Sequence, residues 1–434
     1  MRGDRERRSR IGRSRARRPA RLREVLRSEG PFPSGGERRL IVDARSRTSS
    51  FASSAPGAYD LGSILRRIDW LLLFAVATLV AYGLWAIAGI TRFDVPGHPD
   101  YYVVRQAVAV AVGVAGMLVA IVVSPSVYQR HWRVLYGGTI GVMLFVIAFV
   151  GAVRGSKRWI DLGPFQFQPS EFGKILFVLA IAGFLVERGR RVGEFSTVLA
   201  AVGLGLLPMG LVFLQPDLGS ALVYGAALAA VLFLAGVRWL HLAAIGGGAI
   251  IVVVGVLWFL PVAGIPILKP YQTDRLTGFT NPESDPGGLT YNVTQSRTAV
   301  GAGGLSGRGV EGASQTRLDY LPEHATDFVF ASLAEQRGFV GTSILLLLYL
   351  LVVWRGLRVV TVAGDLYGAI VAGGIVFAFL FQVFVNVGMT MGIAPVTGIP
   401  LPFVTVGGSS IVTNLLAIGV LQSIHARGRV ERSR

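Results

Sequence analysis

The chain has 434 residues, of which 52% are hydrophobic and 15% charged, with 42 Lys and Arg against 25 Asp and Glu and no cysteine. This balance excludes an ordinary soluble domain and a disordered chain, and the absence of cysteine excludes disulfides, thiol nucleophiles and thiolate metal sites. The histidines His98, His131, His241, His324 and His425 fall in no zinc-binding spacing, so no metal site is predicted.

The first 68 residues hold eighteen Arg against seven Asp and Glu. A basic run with no folded reader motif points to anionic lipid headgroups rather than nucleic acid. It reads as a disordered cytoplasmic tail, and no short apolar core follows its start, so it does not read as a cleavable signal peptide.

Ten apolar stretches follow, each suited to ~30 Å of hydrocarbon. They cover roughly 69–90, 104–124, 134–151, 169–187, 195–214, 217–237, 240–260, 336–354, 366–388 and 405–424. Inside lipid every backbone polar group needs an internal partner, and no strand alternation is visible, so the spans are predicted helical. The expected fold is an all-α polytopic membrane protein with a ten-helix domain over 69–426 and a short cytoplasmic tail over 427–434. Arg in the short connections near 130–133, 188–191, 238 and 355–358 and in the last residues places both termini in the cytoplasm. No similarity between the two halves is visible, which disfavours a transporter built from repeats.

Between the seventh and eighth spans lies a polar insert, about 261–335, longer than a helix–helix connection requires. The orientation puts it outside the membrane, where chemistry must run on an already activated substrate. At its end, Asp319, Glu323 and Asp327 stand at i, i+4 and i+8, on one face if the segment is helical, although Pro322 opposes a helix. Asp327 sits where the insert enters the lipid boundary. Partial desolvation there would raise its pKa and suit it to act as a base; alternatively Thr326 or Asp327 caps the next helix. Glu323 reads as a salt-bridge or orienting group.

Four other clusters carry polar residues. Between the third and fourth spans, Lys157, Arg158 and Asp161 precede Ser170, Glu171 and Lys174, the last three inside an apolar run. Glu171 and Lys174, at i and i+3, form a strut or a site, and Asp161 reads as a turn residue. Asp217 is placed to cap the sixth span. Arg105 opens the second span as an interfacial anchor or a pyrophosphate ligand. Asn386 and the run from Pro395 to Ser410 make a rigid re-entrant turn followed by a small-residue helix start.

The blocks KRWIDLGPFQFQPSE, QPDLGSALV, NPESDPGGLTYNVTQS, AVGAGGLSGRG, LPEHATDFVFASLAEQRGFVG and GIAPVTGIPLPFVTVGGSS occur in this order. Together they resemble the SEDS family (shape, elongation, division, sporulation) of peptidoglycan glycosyltransferases, and NPESDP and GIPLPFV are closer to its rod-shape RodA branch than to its FtsW branch. The resemblance spans Arg105 to about Ser410 and leaves the basic tail outside.

The resemblance implies polymerisation of lipid II at the outer face of the bacterial cytoplasmic membrane, beside a class B penicillin-binding protein that cross-links the strands. The family's essential acid maps onto Asp327, the expected general base for an inverting β-1,4 transfer. The histidine stands one place earlier here than in the family pattern. Arg105, Lys157, Arg158 or Lys174 is expected to hold the undecaprenyl pyrophosphate, with a divalent cation such as Mg or Mn as an accompanying ion and no tightly bound cofactor. Tyr291, Asn292 and Gln295 are expected on sugar hydroxyls, with Glu323 beside them; Glu171, Asp217 and Ser170 are expected to orient. A lipid II flippase and a non-catalytic scaffold for the transpeptidase are the competing readings.

Overall fold

Fourteen α-helices, a 3-10 helix (Gly189–Gly193), a π-helical turn (Gly255–Phe259) and one short hairpin are the elements of a computed structural model, which describes residues 66–150, 159–161, 166–259 and 289–432. Most of the basic tail, Lys157, Arg158 and the first part of the insert lie outside them. In chain order the elements are α1 (Trp70–Ile90), α2 (Tyr101–Val122), the short α3 (Pro125–Arg130), α4 (Trp132–Phe149), the antiparallel hairpin β1 (Ile160–Asp161) and β2 (Gln166–Phe167), α5 (Pro169–Arg188), α6 (Phe195–Leu214), α7 (Leu218–Leu234) and α8 (Trp239–Val254). Next come α9 (Leu289–Gly303), α10 (Gly309–Gly312), α11 (Ser314–Arg317), α12 (Val329–Val362), α13 (Leu366–Thr390) and α14 (Gly408–Arg432).

Eight of these are long and apolar enough to cross a membrane, and α7 and α8 are shorter apolar helices of 17 and 16 residues. Together they occupy the ten expected spans. Burial separates the bundle into a centre and a rim: the apolar windows of α14, α5 and α13 are 94%, 78% and 72% buried, whereas α4 is 17% buried. No residue of α8 is buried. In lipid such an apolar, open helix surface is a hydrocarbon-facing one, so the rim needs no further protein cover.

The helix that carries the eighth span begins earlier, at Val329, and the expected apolar run 336–354 lies essentially in its second piece. The helix is two pieces joined at Gly338 (φ 65°, ψ −164°), a conformation open essentially to glycine alone. The amides of Phe339 and Val340 bond the carbonyls of Gly304 and Leu305 at 2.8 and 3.1 Å. At the chain's end, residues 427–432 are helical and continue α14.

The structure corrects the placement of Arg355, expected in a short basic connection. It is 6% exposed within α12, and its Nε and Nη2 donate to Asp69 Oδ2 at 3.0 and 2.6 Å. Asp69 also caps α1 by accepting from Leu72 N, while Gln422 of α14 accepts from the Asp69 amide and donates to its carbonyl. A buried charge persists only when paired and hydrogen-bonded, and this network ties α1, α12 and α14 at the end of the bundle opposite the insert.

Candidate active site

The turn from Leu318 to Phe328 precedes α12 and is not helical. Asp319 and Glu323 adopt left-handed backbone (φ 57° and 52°), so Asp319, Glu323 and Asp327 do not share a helix face. The N-cap position of α12 is Phe328, one residue beyond Asp327. Glu323 instead accepts from Thr326 Oγ1 at 2.7 Å, closing the turn locally.

Three consecutive carbonyls of the turn are held from elsewhere in the chain. Ala325 O accepts from Val406 N at 3.1 Å, Thr326 O from Thr405 Oγ1 at 3.2 Å, and Asp327 O from Asn386 Nδ2 at 3.0 Å. Asn386 is fully buried on α13 and also donates to Ile399 O at 2.8 Å. Gln106 joins α2 to the same platform, donating to Thr405 O and accepting from Gly407 N. Asp327 is thus half-buried on a backbone whose orientation is fixed by α13 and the 397–407 segment, the condition under which a reacting group keeps its geometry.

A second set of bonds fastens the preceding residues to α12. Glu335, inaccessible to solvent, accepts from Gln315 N at 2.8 Å and from Thr316 N and Oγ1 at 2.9 and 2.8 Å. Its carbonyl accepts from Arg308 N. The backbones of Gly303 and Ala334 approach so closely that a Cβ at 303 would overlap the Ala334 carbonyl. In the sequence Glu335 marks the end of the insert; its signal is a carboxylate directly after the largely apolar run Phe330–Ala334.

The third contact is His324. Its Nε2 lies 3.0 Å from Asp94 Oδ1 in the α1–α2 loop, and its Nδ1 lies 3.4 Å from Asp319 Oδ1. Burial favours the neutral imidazole, but the bond to Asp94 and the charges of Asp94 and Asp319 outweigh it, so the His324 pKa is raised.

Motifs far apart in sequence meet beside this platform. Gln168 Nε2 and Ser170 Oγ reach Asp217 Oδ2 at 3.0 and 3.4 Å, Asp217 Oδ1 caps α7 by accepting from Ser220 N, and the Gln168 amide donates to Ser409 Oγ. Glu171 and Lys174 form a buried pair at 2.6 Å. Lys174 therefore sits inside the bundle, on a cavity it shares with Gln382 and Asn414, rather than at the surface where a headgroup would lie. Desolvation makes the pairing obligatory.

Arg105 is half-buried at the start of α2 with its guanidinium over the Tyr101 ring. Tyr291, Asn292 and Gln295 are half-buried on α9, which Ser296 anchors to Thr390 O at the end of α13. The strand position of Asp161 is described and pairs with Gln166.

These features define a multi-pass helical membrane protein whose polar turn is braced by distant loops. The chain belongs to the cell cycle protein family of FtsW, RodA and SpoVE, whose model matches residues 66–430. It is 36% identical over 361 residues to peptidoglycan glycosyltransferase MrdB of Escherichia coli K12, covering 83% of this chain and 93% of that protein. It is 35% identical over 378 residues to stage V sporulation protein E of Bacillus subtilis 168, covering 84% and 97%. A chain from a peptidoglycan synthase complex, solved to study the structural coordination of polymerization and crosslinking, matches with a TM-score of 0.70 at 31% identity, covering 83% of this chain and 98% of that one. The crystal structure of the rod shape determining protein RodA of Thermus thermophilus matches at 0.61 and 28% identity, covering 82% and 96%.

Proposed function

We infer that this chain is a peptidoglycan glycosyltransferase that polymerises lipid II into glycan strands at the outer face of the bacterial cytoplasmic membrane. The observation that carries the reading is the bracing of Asp327: a half-buried carboxylate whose own carbonyl and the two before it are each held by a different residue of α13 or the 405–406 segment. Membership of the family and the names of its glycosyltransferase relatives support the same activity.

Asp327 takes the proton of the acceptor GlcNAc 4-hydroxyl. That oxygen attacks the anomeric carbon of the growing strand from the side opposite undecaprenyl pyrophosphate, which leaves with its electron pair. The result is a β-1,4 bond with inversion. Because the donor is already activated, one base suffices and the carboxylate pair of glycoside hydrolases is not needed. Arg105, with Lys157 and Arg158 outside the described residues, receives the pyrophosphate charge. Lys174, already paired, balances Glu171. Tyr291, Asn292, Gln295 and Glu323 offer polar contacts to the sugars.

A divalent cation would enter as counter-ion to the pyrophosphate. Among the described residues no group of three or more His, Cys, Asp or Glu side chains forms a metal site, and no step above depends on one. Arg in the short connections supports cytoplasmic termini. A class B penicillin-binding protein is the proposed partner, supported by the match to a chain of a peptidoglycan synthase complex.

The test is polymerisation of purified lipid II by detergent-solubilised protein. Wild type makes glycan strands; Asp327→Asn and Asp327→Ala make none while eluting and melting as wild type does. Normal polymer from either variant refutes the assignment of the base, and lipid translocation without polymer by wild type favours a flippase.

A further inference from the structure

Beyond the base and its platform, the Asp327 turn is fastened to the α1–α2 loop. We propose that His324 and Asp94 form a positioning strut that fixes the orientation of the Asp327 turn against that loop. The proposal rests on Asp327 as the base. Three observations carry it. The Nε2–Oδ1 distance is 3.0 Å, and both side chains are largely covered (12% and 19% accessible) even though the loop backbone around Asp94 is open. The same two segments touch again where the Arg317 guanidinium lies over the Phe93 ring. A few residues away, Gln336 Nε2 donates to Gly89 O, so α1 is pinned to the start of α12 as well. The strut completes a ring of contacts in which each side of the turn meets a different part of the chain.

The charged groups facing His324 are Asp94 from the α1–α2 loop and Asp319 from its own loop; Glu323 is turned towards Thr326, and Arg317 lies over Phe93 and pairs with Glu311. Ser332 Oγ of α12 holds the His324 carbonyl and adds no charge. Protonated His324 donates to Asp94 and balances two carboxylates. Since its pKa is raised on folding, the charge-assisted strut is complete at low pH, and as pH rises through that raised value its charge is lost and only the weaker bond of the neutral Nε2–H tautomer remains.

The experiment compares lipid II polymerisation by wild type, Asp94→Asn, His324→Gln and the double variant, with kcat and KM measured across the imidazole range of pH. Each single change lowers kcat about tenfold, the scale of one charge-assisted hydrogen bond, with KM little altered. The double variant is no worse than either single one. In Asp94→Asn the alkaline fall in kcat moves to lower pH, because the imidazolium has lost a carboxylate. Additive losses, or an alkaline limb unmoved in Asp94→Asn, would overturn the strut. If wild type makes no glycan, the functional reading fails and the strut is read separately: hydrogen exchange over 321–328 speeds up in Asp94→Asn if it exists and is unchanged if it does not.

Discussion

Replacing Glu335 by Gln tests how the insert is held onto the bundle. The carboxylate accepts three hydrogen bonds from Gln315 and Thr316 and is shielded from water. A glutamine keeps the shape, but only one of its two terminal atoms accepts. If its oxygen stays on Thr316, its amide nitrogen faces the Gln315 N–H, leaving one donor without an acceptor and removing the charge from the two remaining bonds. An orphaned buried donor costs about 1–3 kcal/mol and charge assistance about 1 kcal/mol for each of the two remaining bonds, so about 3–5 kcal/mol is lost. That corresponds to about two to three and a half orders of magnitude in the opening equilibrium of the 314–321 segment. Hydrogen exchange by mass spectrometry on detergent-solubilised protein reads it directly: peptides over 309–328 exchange faster, while peptides from α13 serve as an internal reference and do not change. Polymerisation falls with it, since this segment leads into the Asp327 turn. Exchange over 309–328 equal to wild type would refute the reasoning, because it would mean that the three bonds contribute nothing to the order of the insert.

Other substitutions probe the platform and the opposite end of the bundle. Asn386→Ala removes the donor shared by the carbonyls of Asp327 and Ile399; two buried acceptors left unpaired cost about 2–5 kcal/mol, expected as a lower melting temperature together with reduced polymer yield. Arg355→Met leaves Asp69 as an uncompensated charge among α1, α12 and α14. It should destabilise by about 3–5 kcal/mol in a thermal melt, and Asp69→Asn combined with Arg355→Met should recover part of that loss. A double variant as unstable as the sum of the singles would contradict the pairing.

Much of the fold is legible in the sequence. Apolar runs of bilayer length at 69–90, 195–214 and 366–388 became α1, α6 and α13 within a few residues, because hydrocarbon leaves a backbone little choice but to bond within its own helix. Asp217 before a small-residue run announced a helix cap and is one. The spacing of Asp319, Glu323 and Asp327 was a poorer guide: periodicity is informative only if the segment is helical, and the left-handed backbone at 319 and 323 breaks it. Arg355 read as a surface cation because a charge in an apolar helix is expensive, and only Asp69, 286 positions away, makes its burial tolerable.

The residues alone therefore indicated a membrane bundle with a polar insert, and singled out Asp327 as the acid where that insert meets the next helix. Which groups brace that acid was decided by tertiary packing: Asn386, Thr405 and the Val406 amide at the carbonyls of Asp327, Thr326 and Ala325, Glu335 across the neck of the loop, and Asp94 on His324. Hydropathy is a local property that sums along a run of neighbours. A hydrogen bond depends on distances of about 3 Å between groups far apart in the chain, and those are set only when all the helices have packed.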